Sequence, residues 1–235
     1  METDPRAALS AIGQLEDDEI DIADAALQLG RVDAPEVDIE TARAHLSEIA
    51  REAAALIAGV ETAAAAVKGL AGLLAGEHGY RGDSETYEDL ANANLLRVIE
   101  RRRGLPVTLG ILWLHAARAA GWTSFGIDFP GHFMVGLDGA KGLAVLDPFN
   151  GGAAVDAREL RRKAEPEGGI RLGAGVLAPM TTRAVLLRLQ NNILLRRLRQ
   201  DDLAGALACA GDMLRIAPEA AQARAAMSAL RARLH

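Results

Sequence analysis

The feature that most constrains the fold is an apolar segment that begins at Gly104-Leu105-Pro106 and ends at Gly121. Pro suits the first turn of a helix, where its missing N–H would have no partner, and Gly suits the left-handed residue after the last turn. The residues between these ends are apolar on nearly every side: Leu109, Ile111, Leu112, Trp113, Leu114, Ala116, Ala117 and Ala120. Such a helix belongs in the middle of a domain, so the sequence predicts a central helix that other elements surround.

Strands follow this helix, because the apolar period changes from helical to alternating. Residues 125–129 alternate and end at the turn dipeptide Pro130-Gly131, which predicts one strand. Two further apolar runs, residues 132–137 and 142–146, flank the turn-rich segment Asp138-Gly139-Ala140-Lys141 and predict a hairpin.

The hairpin brings an imidazole and a carboxylate together. A four-residue loop at 138–141 would place His132 opposite Asp147, whereas a two-residue loop at Asp138-Gly139 would make them diagonal neighbours. With either loop the period of two places both side chains on one sheet face, and we expect a hydrogen bond between them. The pair has a purely structural interpretation too, in which it holds the strand register at a partly buried edge.

The remainder of the chain is mainly helical. Several amphipathic helices precede the central one, and Gly30 is expected to end one of them. From Thr181 to the end we predict two or three helices, with breaks at Gln200-Asp201-Asp202 and Ala217-Pro218. The Pro after the second helix resembles the end of a tetratricopeptide unit. So few units must dock on the preceding domain or on a partner, and we expect them to dock on the N-terminal helices. We therefore expect two regions, residues 1–180 and a helical tail of residues 181–235.

Composition excludes several classes of function. The net charge of −6 argues against nucleic acid as a partner, since phosphate binding needs a basic surface. The single cysteine, Cys209, excludes an internal disulfide and a cysteine-based zinc site, and no histidines lie at metal-ligand spacing. We therefore expect no metal and no cofactor. The acidic start lacks signal-peptide character, and no apolar run reaches the roughly 20 residues of a membrane span, which favours a cytoplasmic protein without membrane contact.

Four motifs together resemble a known family. They are Asn92 and Asn94 before Leu95, the run Arg103-Gly104-Leu105-Pro106-Val107-Thr108-Leu109, then Pro130-Gly131-His132-Phe133, and finally Asp147-Pro148-Phe149-Asn150-Gly151-Gly152. This set is similar to the bacterial SirB-type family, which couples a transglutaminase-like domain to tetratricopeptide-like helices. The resemblance covers roughly residues 15 to 230 and implies an α+β fold of the transglutaminase/papain type, with a buried helix on an antiparallel sheet.

The resemblance also implies where chemistry would occur, and the sequence departs from it there. Active members of the superfamily carry a cysteine at the helix entrance and a histidine and an aspartate on adjacent strands. His132 and Asp147 match the latter two, but Pro106 holds the nucleophile position and has no side-chain heteroatom. Thr108 is a weak substitute, since it lies about 200° further around the helix. If the helix starts later, Thr108 would be its N-cap instead.

Two other side chains, Ser124 and Cys209, are candidate nucleophiles. Nothing in the sequence places Ser124 near His132, and Cys209 lies among apolar residues, where a buried inert thiol is expected.

Two functional hypotheses follow. In the favoured one, the chain is a non-catalytic transglutaminase-like protein that binds a protein or a peptide through the former active-site region and the tail. In the alternative, it is a hydrolase or acyl transferase that uses another nucleophile, or water activated by His132. Position 106 discriminates between them, and proline there favours the first.

Overall fold

The computed structural model describes residues 4–129, 132–156 and 178–234. The turn predicted at residues 130 and 131 lies outside these ranges. The helices are α1 (Pro5–Ile12), α2 (Ile22–Asp33), α3 (Ile39–Leu56), α4 (Ala63–Ala71), α5 (Leu95–Arg101), α6 (Pro106–Ala119), α7 (Thr182–Arg199), α8 (Leu203–Ile216) and α9 (Ala221–Leu234). Helix α4 continues into a π-helical stretch, Gly72–Glu77, and single 3-10 turns form at Asp17–Glu19 and Leu90–Ala93.

The strands form one main sheet and one small pair. The strands are β1 (Arg81–Gly82), β2 (Arg103–Gly104), β3 (Thr123–Phe129), β4 (His132–Gly139), β5 (Gly142–Asp147), β6 (Ala153–Ala154) and β7 (Pro179–Met180). The main sheet has the order β6-β5-β4-β3-β7 with antiparallel neighbours, and β1 pairs with β2 in parallel. Together with the helices this confirms the predicted α+β class.

Helix α6 is the central element that the sequence predicts. It begins at Pro106, and Gly121 follows its last turn with a φ of +80°. Ten of its residues are buried, including Trp113, which is 1% exposed. One face of the main sheet packs on it: a Cβ on Gly110 would lie 2.3 Å from the Phe133 ring, so glycine permits this close approach.

The opposite face of the sheet has a small core of its own. Its buried members are Ile127, Phe129, Met134, Val145 and Val155. Successive residues of β4 therefore alternate between two apolar environments: Phe133 and Val135 belong to the α6 side, and Met134 belongs to the second core. This alternation fixes which face each neighbouring side chain occupies.

Helix α2 shows one wrong prediction. It runs through Gly30 to Asp33, so Gly30 does not end it. A Cβ at this position would lie 2.7 Å from Oδ1 of Asn94, and Nδ2 of Asn94 donates to the Gly30 carbonyl at 2.9 Å. The glycine serves close packing against the start of α5 instead of a helix end.

The C-terminal helices follow the predicted breaks, and they pack in order, α7 against α8 and α8 against α9. Asp202 caps α8 by accepting from the Gly205 amide at 2.8 Å. Among the described residues, every helix is too short or too polar to span a bilayer.

The tail docks on the N-terminal helices. The Asp17 carboxylate accepts from the amides of Thr182 (2.7 Å) and Arg183 (2.9 Å) at the start of α7, and Arg6 of α1 pairs with Asp212 of α8 at 3.0 Å. The boundary expected between residues 180 and 181 coincides with the N-cap of α7. Residues on both sides of it contribute to one hydrophobic cluster.

Candidate functional site

The entrance of α6 is built by a backbone contact from the preceding loop. The Leu105 amide donates to the Asn92 carbonyl at 2.9 Å, and Pro106 follows as the first helical residue, half-buried. The nucleophile position inferred from the family resemblance is thus held by a side chain that can neither donate a proton nor attack a carbonyl.

Thr108 does not replace the missing nucleophile. Its side chain is fully buried, and its hydroxyl donates to the Asn92 carbonyl at 2.9 Å. Leu105 occupies the N-cap position, so the alternative in which Thr108 caps the helix is wrong. The threonine hydroxyl instead fastens the first turn of α6 to the loop that ends at Asn92.

The hairpin register differs from both predicted registers. Gly139 pairs with Gly142 and Val135 with Leu146, so the connecting loop is Ala140-Lys141. His132 and Asp147 are consequently offset by two residues along the strands, although they keep the same face. His132 is exposed, whereas Asp147 is 2% exposed.

Asp147 is committed to its own turn. One carboxylate oxygen accepts from the amides of Phe149 (3.0 Å) and Asn150 (3.3 Å), and the other accepts from the Asn150 side chain at 2.7 Å. No hydrogen bond joins Asp147 to His132, both of which are described, so the predicted bond is wrong. The carboxylate orders the corner after β5 and does not orient the imidazole.

The sheet face on which His132 and Asp147 lie determines whether their side chains can contact α6. Phe133 points at Gly110 of α6, and Met134 lies in the second core. Strand alternation therefore assigns His132 to the face of Met134, away from α6. The sequence positions of the expected triad are held by Pro106, His132 and Asp147, but these three side chains do not meet at the helix entrance.

The other two nucleophile candidates are equally remote. Ser124 pairs with Leu137, at the opposite end of the β3–β4 ladder from His132. Cys209 is buried in α8, where its thiol donates to Oε1 of Gln190 at 2.7 Å. Burial raises the pKa of the Cys209 thiol to about 12, so it stays protonated and unreactive near neutral pH.

A second buried carboxylate, which sequence reasoning missed, organises the loop before α5. Asp83 is 1% exposed and accepts from the Thr86 hydroxyl at 2.6 Å, from the amides of Glu85 and Thr86, and from Arg101 at 3.1 Å. The Thr86 hydrogen bonds, with smaller contributions from Asn92 and Glu85, lower the pKa of Asp83 to about 2. An Asp followed three residues later by Thr was the available sequence signal.

The corner after β5 packs directly beside the α6 entrance. The Gly82 amide donates to the Phe149 carbonyl at 3.1 Å, and a Cβ on Gly82 would lie 2.5 Å from the Phe149 ring. Gly82 in turn pairs with Gly104, two residues before Pro106. The motif that contains Pro106 and the motif that begins at Asp147 therefore meet through strand β1.

An aromatic surface extends from this corner to the tail. The Tyr87 and Phe149 rings form an edge-to-face pair with centroids 6.0 Å apart, and the Arg196 guanidinium of α7 lies 5.3 Å from the Tyr87 centroid. Arg196 also donates to the Tyr87 carbonyl at 3.1 Å. We call Tyr87, Phe149 and Arg196 the aromatic corner.

Comparison with known proteins agrees with this architecture. The model of the transglutaminase-like superfamily matches residues 40–191, more than half of the 235 residues. The chain belongs to the transglutaminase-like superfamily. The matched range runs from α3 into α7 and includes Pro106, His132 and Asp147, whereas α8 and α9 lie beyond it.

The similar curated proteins are mostly bacterial. A UPF0162 protein of Xylella fastidiosa is 37% identical over 150 residues, which cover 62% of this chain and 53% of that protein. A UPF0162 protein of Vibrio cholerae is 33% identical over 135 residues, covering 57% and 50% respectively. F-box only protein 21 of Mus musculus is 25% identical over 123 residues, or 49% of this chain and 19% of that protein. The chain thus spans about half the length of its bacterial relatives, and no solved structure matches it.

The region of the superfamily active site therefore contains hydrogen-bonding and aromatic groups but no assembled nucleophile. Within residues 4–129, 132–156 and 178–234, no three His, Cys, Asp or Glu side chains are placed to hold a metal ion. What the arrangement offers chemically is the exposed Tyr87 ring, which the Phe149 ring and the buried Arg196 guanidinium support.

Proposed function

We propose that this chain is a non-catalytic, SirB-type member of the transglutaminase-like superfamily that binds another protein or a peptide in the cytoplasm. Recognition would use the exposed Tyr87 ring of the aromatic corner beside the α6 entrance, which Arg196 of the tetratricopeptide-like tail supports from a buried position (3% exposed). The observation that carries the proposal is the combination of Pro106 at the helix entrance with a His132–Asp147 pair on the sheet face turned away from it.

The chemistry of the aromatic corner supports binding. Tyr87 is 40% exposed although its ring packs on Phe149 and Arg196. Aromatic rings are among the side chains most enriched at the centres of protein interfaces, because they bring large contact areas with little loss of conformational freedom. A ring already held in place by two neighbours loses still less on binding.

The alternative, a hydrolase that activates water with His132, is favoured by the exposure of that imidazole. In enzymes of the triad type a carboxylate orients the imidazole. The Asp147 carboxylate makes its hydrogen bonds within residues 147–150 instead. The same experiment tests both hypotheses.

The catalytic question is tested with a thiol placed at the entrance. In a Cys209→Ala background, Pro106→Cys should titrate below the ordinary thiol pKa of about 8.5, because a helix N-terminus favours the thiolate. Adding His132→Ala should leave that pKa unchanged, since the imidazole faces the other side of the sheet. The rate of alkylation by iodoacetamide as a function of pH measures both values.

Two results would overturn the non-catalytic proposal. One is a rise in the thiol pKa when His132 is removed, which would show that the imidazole reaches position 106. The other is amide hydrolysis, or transfer of glutamine acyl groups to amines, by the unmodified protein and its loss in His132→Ala.

Binding is tested with a photo-crosslinking amino acid at Tyr87 and, as a control, at Leu143, which is similarly exposed (46%) on β5. In cells, the substitution at Tyr87 should give a discrete adduct whose partner is identified by mass spectrometry. The adduct should disappear with Phe149→Ala and should be absent at Leu143. Identical adducts at both positions, or none at Tyr87, would contradict recognition by the aromatic corner.

A further inference from the structure

A cluster of titratable side chains surrounds Arg102, four residues before Pro106, and plays no part in the proposed binding surface. Its members are His45 of α3, His78, Tyr80 and Arg102, and we call it the His45 cluster. Tyr80 is 2% exposed, and the two imidazoles are 12% and 13% exposed. The two histidine rings pack edge to face with centroids 5.2 Å apart.

Hydrogen bonding fixes the protonation state of His45. Its Nε2 atom lies 2.9 Å from the Tyr80 hydroxyl and also contacts the Arg102 guanidinium, which bonds the same hydroxyl. A guanidinium can only donate, so Nε2 must accept and the proton of the neutral ring resides on Nδ1. A protonated His45 would have N–H groups at both positions, and its Nε2 could then accept from neither neighbour.

Most of the groups around His45 lower its pKa. Desolvation, followed by the positive charge of Arg102 and by His78, lowers the pKa of His45, and Glu48 on the same helix opposes this at 3.7 Å from Nδ1. His78 itself contacts the Glu52 carboxylate at 2.7 Å. A charged His45 would therefore lie directly against the fixed positive charge of Arg102.

Release of the Arg102 side chain would affect the backbone turn that leads into β2 and Pro106. It adopts the left-handed conformation with a φ of +58°, which is unfavourable for a residue with a side chain. Its carbonyl accepts from the Arg81 amide at 3.0 Å, and the next two residues form β2, which leads to Pro106. The contacts of its guanidinium with Tyr80 and His45 hold this turn in place.

We propose that the His45 cluster is an acid-sensitive latch on the α6 entrance: neutral His45 holds the Arg102 turn, and protonated His45 releases it. The latch does not depend on the proposed binding function, because it concerns the order of residues 101–105 alone. Protonation removes one acceptor from Arg102 and adds a like charge beside it.

The pH window follows from the direction of the pKa change. The folded state binds the His45 proton less readily than the unfolded chain, whose histidine pKa is about 6.5. The stability that His45 confers is therefore complete above that pH and falls as the pH decreases through the folded-state pKa. The latch should therefore open only below the ordinary histidine pKa of about 6.5.

Two measurements on the full chain test the latch. NMR titration should give His45 an apparent pKa below about 6.5. Amide hydrogen exchange at residues 101–105, corrected for intrinsic rates, should lose protection as His45 titrates, while amides in α8 keep theirs. His45→Gln should retain protection at both ends of the titration, because its oxygen accepts hydrogen bonds and cannot acquire a charge.

A matched variant separates the latch from general acid sensitivity. His78→Gln removes a neighbour that disfavours the charged ring, so the loss of protection should persist and move to higher pH. The latch would be overturned by a His45 that titrates at or above the ordinary value. It would be overturned equally by residues 101–105 that stay protected when His45 is charged, or that lose protection just as much in His45→Gln. If His45→Gln does not fold, the titration and exchange of the unmodified chain still decide.

Discussion

Two carboxylates of similar burial, Asp83 and Asp147, hold the loops on either side of the α6 entrance. Each accepts from the backbone amides two and three residues ahead, and each binds the side chain of its third neighbour, Thr86 or Asn150. This local bonding satisfies the carboxylates without a partner on another strand. It explains why Asp147 was not free to orient His132.

Substitution of Asp83 should therefore weaken the whole molecule. Asp83→Asn removes a charged acceptor from the Thr86 hydroxyl and from Arg101 and should lower the free energy of unfolding by roughly 2 kcal/mol. Urea titration measures the loss. Glu85→Gln, in the same loop, is the control. Its side chain is 75% exposed and, among the described residues, forms an ion pair with Arg103 alone, so its effect should stay below about 1 kcal/mol.

The pH dependence gives a second check on Asp83. Its pKa is lowered to about 2 in the folded state, so its contribution is complete above the unfolded pKa of about 3.9 and falls as the pH decreases from there toward 2. The difference in stability between the unmodified chain and Asp83→Asn should shrink over that range. A difference independent of pH would mean that the carboxylate charge does not stabilise the loop.

Residue-level prediction succeeded where it depended on strand period and failed where it depended on competing partners. The shared face of His132 and Asp147 was predictable, because a shift of the strand pairing by two residues leaves every side chain on the same sheet face. The register was not, since the loop proved to be Ala140-Lys141. The His45 cluster gave no sequence signal, because its members come from three separate elements.

Elements were predicted best where their end signals are local. Helix α6 begins at its Pro and ends before its Gly, and α8 begins after the predicted break at Gln200-Asp201-Asp202, with Asp202 as its N-cap. Gly30 misled the prediction because a glycine inside a helix and a glycine after one look alike in sequence. The cap of α7 was only partly predictable: Thr181 accepts from Ala184, but Asp17 satisfies two further amides from a distant part of the chain.

The contribution of Asp17 to the start of α7 can be tested by substitution. Asp17→Ala leaves the Thr182 and Arg183 amides without their acceptor and should lower the free energy of unfolding by about 1 kcal/mol. Asp18→Ala is the matched control, since Asp18 is an exposed neighbour in the same turn and makes no hydrogen bond or ion pair with α7 in the described structure. Equal melting temperatures for the two variants would show that the bonds to Asp17 add nothing to helix docking.

At the scale of the whole molecule, the tail is bound to the rest of the chain by packing and by charge. Gly13, just after α1, lies so close to α8 that a Cβ would be 2.0 Å from the Arg215 carbonyl. Val185 and Leu186 of α7 are fully buried in the cluster that contains α6. The sequence predicted that the tail docks on the N-terminal helices, because its apolar stripes exceed what so few helices can bury, but it did not identify Asp17, Arg6 and Asp212 as the residues that make the contact.

Removal of the tail tests whether residues 1–180 and 181–235 are independent. A chain ending at residue 180 would expose the surfaces that α7 and α8 cover, and each fully buried aliphatic side chain lost is worth roughly 1.5–3 kcal/mol. Several such losses equal the whole stability of an ordinary domain, about 5–15 kcal/mol. We therefore expect a lower melting temperature and strong binding of the dye ANS, and we expect residues 181–235 added in trans to reverse both. A truncated chain that melts unchanged and binds no dye would show that the tail is a separate module, and the contacts of Asp17 and Arg6 would then contribute little to the stability of the fold.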